Sequence, residues 1–286
     1  MSAERLERAR VALEGLSVGD AYGEQAFAAS EPWHFTDDTN MSLSVFAVLR
    51  EYGEINQDAL AHSFMQRYHP MRGYGPAMHF LLPQFDAQGN WRQLAPALFD
   101  GQGSYGNGAA MRVAPVGAYF ADDLQAVVEN ARRSAEVTHA HPEAVAGAIA
   151  VAMGAAWAWR LRDLEPQPTR VKFLEQVLAF VPDSEVKRGI QRAAKLQAAT
   201  SVETAAAMLG NGSRVTCQDT VPFALWVAGE HFGRYREALQ VTRRAGGDID
   251  TTCAIVGGIL ANAAGLSDIP QEWRDHREPL PAWPFE

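Results

Sequence analysis

Two short acidic stretches, far apart in the chain, carry the residue types from which a cation site can be built. They are Thr36-Asp37-Asp38-Thr39 and Gly247-Asp248-Ile249-Asp250-Thr251. Each sets two carboxylates and at least one hydroxyl where a loop turns into a helix. Gly246 and Gly247 let the chain bend sharply before the second helix. Carboxylate, hydroxyl and water oxygens are the preferred ligands of hard cations such as Mg²⁺ and Mn²⁺. The plainer reading is capping: an acid or threonine ahead of a helix accepts hydrogen bonds from its first free N–H groups. Asp250 or Thr251 could do only that. Two such clusters favour a shared site, with oxygen ligands supplied from both sides.

The rest of the composition limits what such a site serves. The chain has 286 residues, 47% of them hydrophobic and 21% charged, which is ample material for a core. Its formal net charge is −9, which argues against nucleic acid as a partner except as a modified substrate. An anionic ligand would need local N–H groups, Arg, His or metal. The two cysteines, Cys217 and Cys253, have no metal-type spacing, as expected of a reduced intracellular protein. Met1 to Leu13 lacks an apolar signal-peptide core, and the uncharged run between Glu143 and Arg160 is short and rich in Ala and Gly. A buried helix there is expected rather than a membrane span, in a cytoplasmic protein without membrane partners.

The elements that must position the acids are helical throughout. Leu6, Ala9, Leu13 and Leu16 share a face of a first helix over 2–16. Gly15, Gly19 and Gly23 follow at intervals of four, and in a helix that stripe lets another backbone pack closely. Val45, Val48, Leu49 and Tyr52 keep helical spacing after the first acidic cluster, and Asn56 caps a helix running to Tyr68. Residues 69–108 are irregular, with two short helices, and suit loops over a site. Gly106 to Arg112 opens a helix that Pro115 interrupts, Asp122 caps one to Thr138, and Pro142 starts the long uncharged one. Further helices are expected over 169–180, 184–198, 201–209, 221–231, 235–243 and 251–264, ahead of a proline-rich tail. The expected architecture is all-α, a single-domain orthogonal bundle of roughly a dozen helices.

Five ordered blocks resemble the ADP-ribosylglycohydrolases. They are Gly19-Asp20-Ala21-Tyr22-Gly23, Thr36-Asp37-Asp38-Thr39, Gly106-Asn107-Gly108-Ala109-Ala110-Met111-Arg112, Thr138-His139 and Gly247-Asp248-Ile249-Asp250-Thr251. The resemblance implies an all-α fold with two Mg²⁺ or Mn²⁺ ions in a cleft, held by Thr36, Asp37, Asp38, Asp248, Asp250 and Thr251. It implies that Gly106, Asn107 and Gly108 lie against ADP-ribose, with backbone N–H groups approaching its oxygens, and that Met111 and His139 contact it. Arg112 is expected either on a phosphate or as the buried partner of a metal-site acid. Asp20 is expected to cap a helix or support the site. The implied activity is hydrolysis of the glycosidic bond between ADP-ribose and an arginine, serine or small-molecule acceptor, with Asp38 as base and Asp37 beside it. The alternatives are a catalytically silent binding or structural relative, and a metal-dependent phosphoester hydrolase. Two positions depart from the family pattern: Ile249 stands where Thr is frequent, and Glu24 is the nearest acid to a functional acid that several members carry a few residues further on.

Overall fold

The glycine stripe organises the molecule. The computed structural model describes residues 2–27 and 29–286, and the first helix runs unbroken from Ser2 to Glu24. Its closest partner is Ile249–Ala264, the helix that follows the second acidic cluster. A methyl group on Gly15 would sit 2.5 Å from the carbonyl oxygen of Gly257, one on Gly19 2.3 Å from that of Cys253, and one on Gly23 2.6 Å from Cα of Asp250. Two backbones therefore touch along about two turns, and this contact sets Asp20 beside Asp250. Gly19→Ala should cost about 3 kcal/mol, because neither backbone can yield locally. The urea midpoint would then fall with little change in slope.

Among the described residues there are sixteen α-helices, two 3₁₀ turns and no strand, only isolated bridges at Trp33–Arg277 and Gly106–Thr216. Part of the excess over a dozen comes from the helix expected at Gly106, which is split into Gly108–Met111 and Ala114–Tyr119, and from the unforeseen Gln271–His276. Four to six residues are too few for apolar periodicity to register. Pro115 does interrupt, lying in the first turn of Ala114–Tyr119 after the chain leaves helix at Arg112. Thr169, Ser184 and Ser201 each cap the helix expected there, and Asn56 accepts from the N–H of Ala59.

Two local expectations are corrected. The cap of the Leu124–Glu136 helix is Asp123, not Asp122, whose carboxylate is taken by Arg5 and Arg8 of the first helix. The helix expected from Val221 begins four residues earlier, at Cys217, and carries Pro222 inside it. Pro142–Leu161 is long and apolar enough to cross a membrane by length and composition, yet 78% of its apolar window is buried by neighbouring helices. It packs against Ala114–Tyr119, Leu124–Glu136 and Ile249–Ala264 as a central core helix. Cys217 and Cys253 are both free and buried.

Candidate metal centre and ligand cleft

The two acidic stretches meet. Thr36 is the N-cap of the Asp37–Tyr52 helix, and the helix it opens aims Asp38 inward, where only 1% of that residue is exposed. One oxygen of Asp38 lies 3.0 Å from Thr36 Oγ1 and, across 213 residues of chain, 3.4 Å from Thr251 Oγ1. The other, Oδ1, is buried with no hydrogen-bond partner among the described residues. Capping does not explain the second cluster: the N-cap there is Asp248, whose side chain makes no capping bond. Its Oδ2 instead accepts from Asn107 Nδ2 at 2.6 Å, and that amide also donates to Thr220 Oγ1.

Asp20 anchors the first cluster. Its carboxylate accepts from the backbone N–H and hydroxyl of Thr36 and from the N–H and hydroxyl of Thr39, the last at 2.5 Å. Carboxylate oxygens of Asp20, Asp38 and Asp250 lie within 4.8 Å of one another, a spacing that could hold a metal ion. Among the described residues none of the five clustered aspartates has an ion-pair partner. Burial, and next the charge of Asp250, push Asp20 up to about 7 and Asp248 up to about 8, against the hydrogen bonds from Thr39 and Asn107. Asp37 and Asp38 are raised well above the usual carboxylate range, by burial first and by neighbouring carboxylates after it. Stripped of cations, the cluster is an arrangement that the fold resists. An orphaned buried carboxylate oxygen and an all-oxygen donor set fit a hard divalent cation.

A cleft of about 880 Å³ opens from the cluster. Asp37, Asp248, Asp250 and Thr251 line one end. Gly106, Asn107, Gly108, Met111 and His139 line its wall, while Phe80, Phe99, Tyr105 and Val215 stand on the lining with much of their surface exposed. The Phe99 and Tyr105 rings are near-parallel, 20° apart with centroids at 6.4 Å. A second, more open cavity of about 840 Å³ shares Tyr105, Arg214 and Thr216 with this one but holds none of the clustered aspartates.

A family profile described as ADP-ribosylglycohydrolase matches residues 1–283, nearly the whole of the sequence. The chain belongs to the ADP-ribosylglycohydrolase family. Among curated proteins it is similar to ADP-ribosylhydrolase ARH3 of Gallus gallus, 28% identical over 93% of this chain and 80% of that protein. ADP-ribosylhydrolase ARH3 of Homo sapiens is also 28% identical, over 87% and 76%. An uncharacterized protein of Archaeoglobus fulgidus is 36% identical over 58% of this chain and 51% of its own. A solved structure described as an ADP-ribosylglycohydrolase-related protein complex superposes with a TM-score of 0.62 at 23% identity, covering 95% and 92%, and supports the shared all-α fold.

Several site expectations drawn from the ADP-ribosylglycohydrolase resemblance change in three dimensions. Arg112 touches neither a metal-site acid nor the cleft. It is fully buried, and its guanidinium donates to the carbonyls of Gly108 and Ser134 and to Thr138 Oγ1, with its charged carbon 4.7 Å from the centre of the Phe64 ring. Burial holds it down to about 9. The N–H groups of Gly106 and Asn107 are not free for a ligand either, since they donate to Ser104 Oγ and to the carbonyl of Val215. These glycines instead make room for His139: an added methyl would lie 3.2 Å from its Nε2 at Gly106 and 2.8 Å from its Cε1 at Gly108. Glu24, half-buried at the end of the first helix, is raised by burial and by Asp250 but is not among the residues lining the cleft. The irregular stretch 69–108 suits loops over a site, but nothing in it singles out Tyr74, Phe80 or Phe99, all three on the cleft lining. Phe99 owes its position to a kink in which it and Asp100 adopt left-handed angles, φ 52° and 57°.

Proposed function

We propose that this protein hydrolyses the glycosidic bond between ADP-ribose and an acceptor, either a protein side chain such as arginine or serine or a small conjugate. The observation that carries the reading is a buried, uncompensated group of aspartates opening onto a cleft large enough for a nucleotide-sized ligand. Thr36, Asp37, Asp38, Asp248, Asp250 and Thr251 would hold two divalent ions, Mg²⁺ or Mn²⁺. Bound there, such ions would orient the ribose hydroxyls and lower the pKa of a water.

The chain's own residues do the remaining work. Asp38 takes a proton from the attacking water. Asp20 does not need to touch the substrate, because its hydrogen bonds to both threonines hold Asp37 and Asp38 in register. Asn107 does the same for Asp248. Glycosidic cleavage builds positive charge on the ribose ring, and the aspartates concentrate negative potential at that end of the cleft. On the same lining the exposed faces of Phe99 and Tyr105 suit a flat base.

The test is a panel of ADP-ribosylated arginine peptide, ADP-ribosylated serine peptide and O-acetyl-ADP-ribose, each assayed for free ADP-ribose in Mg²⁺ and in Mn²⁺. Release from at least one member is expected. Binding of ADP-ribose without turnover of any would make the protein a silent relative, and phosphate release from simple nucleotides would make it a phosphoesterase.

A further inference from the structure

The hydrogen bonds linking Arg112, Thr138 and His139 have a direction, and that direction decides which nitrogen of His139 carries the proton. A guanidinium can only donate. Arg112 Nη2 donates to Thr138 Oγ1 at 2.9 Å, so that hydroxyl is already an acceptor there. Thr138 has one proton left to give, and its other partner is His139 Nδ1 at 2.6 Å. The hydroxyl oxygen has a second lone pair and could also accept from Nδ1–H, but the Thr138 proton would then be buried with no acceptor among the described residues. Nδ1 therefore accepts, which puts the ring proton on Nε2. Burial, helped by the charge on Arg112, holds the imidazole down to about 3, so the ring stays neutral across the physiological range. His139 lines the cleft, Nε2 is its ring atom nearest a methyl placed on Gly106, and among the described residues no protein acceptor meets Nε2.

We infer that Arg112 and Thr138 are positioning residues: they lock His139 as the Nε2–H tautomer, a donor aimed from beside Gly106 and Gly108 at an acceptor oxygen of the ligand. His139 then serves as a hydrogen-bond donor and not as an acid or base. The identity of that ligand as ADP-ribose rests on the function proposed above, whereas the tautomer does not. A donor fixed by a buried relay costs no reorganisation when the ligand arrives, which is the value of preorganisation.

The experiment is ¹⁵N-histidine NMR on the full chain, reading the His139 ring through its two-bond proton–nitrogen correlations, with ADP-ribose binding measured by calorimetry on the same samples. The wild-type ring should show a single Nε2–H tautomer with a hydrogen-bonded Nδ1, unchanged between pH 5 and pH 8. Thr138→Val should move Nδ1 toward the position of an unbonded ring nitrogen and weaken ADP-ribose binding about tenfold, the size of one hydrogen bond. Thr138→Ser should restore both. An Nδ1–H or titrating ring in the wild type overturns the inference whether or not any variant folds, as does a Thr138→Val spectrum with Nδ1 unmoved. Should the wild type bind no ADP-ribose while the tautomer is as stated, the assigned ligand fails and the relay stands.

Discussion

Asp38→Asn should lower ADP-ribose release by on the order of 10³-fold and leave the fold intact, the range expected for losing a positioned base together with a metal ligand. The two halves of this result have different causes. Activity falls because an amide takes up no proton and binds divalent ions weakly. Stability does not fall, because the carboxylate contributes little to holding the fold: it is 1% exposed, one of its oxygens is unpartnered, and Asp20 and Asp250 lie close by. An amide there can donate to a neighbouring carboxylate, so in EDTA the variant's Tm should equal or exceed the wild type's. Measured turnover and thermal melts together decide the matter. Retained turnover would remove Asp38 from the chemistry, and a collapsed Tm would make it a structural residue.

Removing divalent ions should have a large effect of its own, with a definite pH dependence. An acid whose pKa rises on folding holds its proton more tightly in the native chain than in the unfolded one. Its contribution is therefore fully present below the unfolded value near 3.8 and is lost as pH climbs through the folded value. Asp20, at about 7, and Asp248, at about 8, set that window in ion-free protein. From pH 5 to pH 8.5 the EDTA-treated protein should lose of the order of 5 kcal/mol, since each unit of displacement is worth about 1.4 kcal/mol. Millimolar Mg²⁺ or Mn²⁺ should restore the loss, raising Tm far more at pH 8.5 than at pH 5.5, because ions bind the deprotonated acids. Turnover should vanish in EDTA and return with the ion. A Tm in EDTA that is flat or rising over this range would mean that the aspartates are compensated by something other than a cation.

Much of the fold was legible because its signals are local. Asn56, Thr169, Ser184 and Ser201 cap helices by bonds that close within three residues, so residue type and position suffice to find them. The glycine stripe was legible for another reason: a period of four places Gly15, Gly19 and Gly23 on one face whatever surrounds the helix. Asp122 and Asp123 were harder to tell apart. Either can cap, and the choice fell to Arg5 and Arg8, more than a hundred residues away, which claim Asp122. The short helix Gln271–His276 escaped because tertiary packing, not propensity, stabilises so few turns.

The candidate site divides the same way. Residue types and spacing alone marked Thr36, Asp37, Asp38, Asp248, Asp250 and Thr251 as oxygen donors at two helix entries, because ligand chemistry is a property of the side chain. Whether the entries face each other depends on how closely two helices approach, and that was decided by glycine-to-backbone contact along Ser2–Glu24 and Ile249–Ala264. The same contact brought in Asp20, whose role comes from reaching across to Thr36 and Thr39. Arg112 is the counter-example: its charge suggested a ligand or an acid, and burial among carbonyls turned it into a brace for Thr138 and His139. The sequence determined which groups could carry the chemistry, since that is written in covalent structure. Only the tertiary structure decided which are buried, paired or open to the cleft, since those follow from contacts between residues the chain keeps far apart.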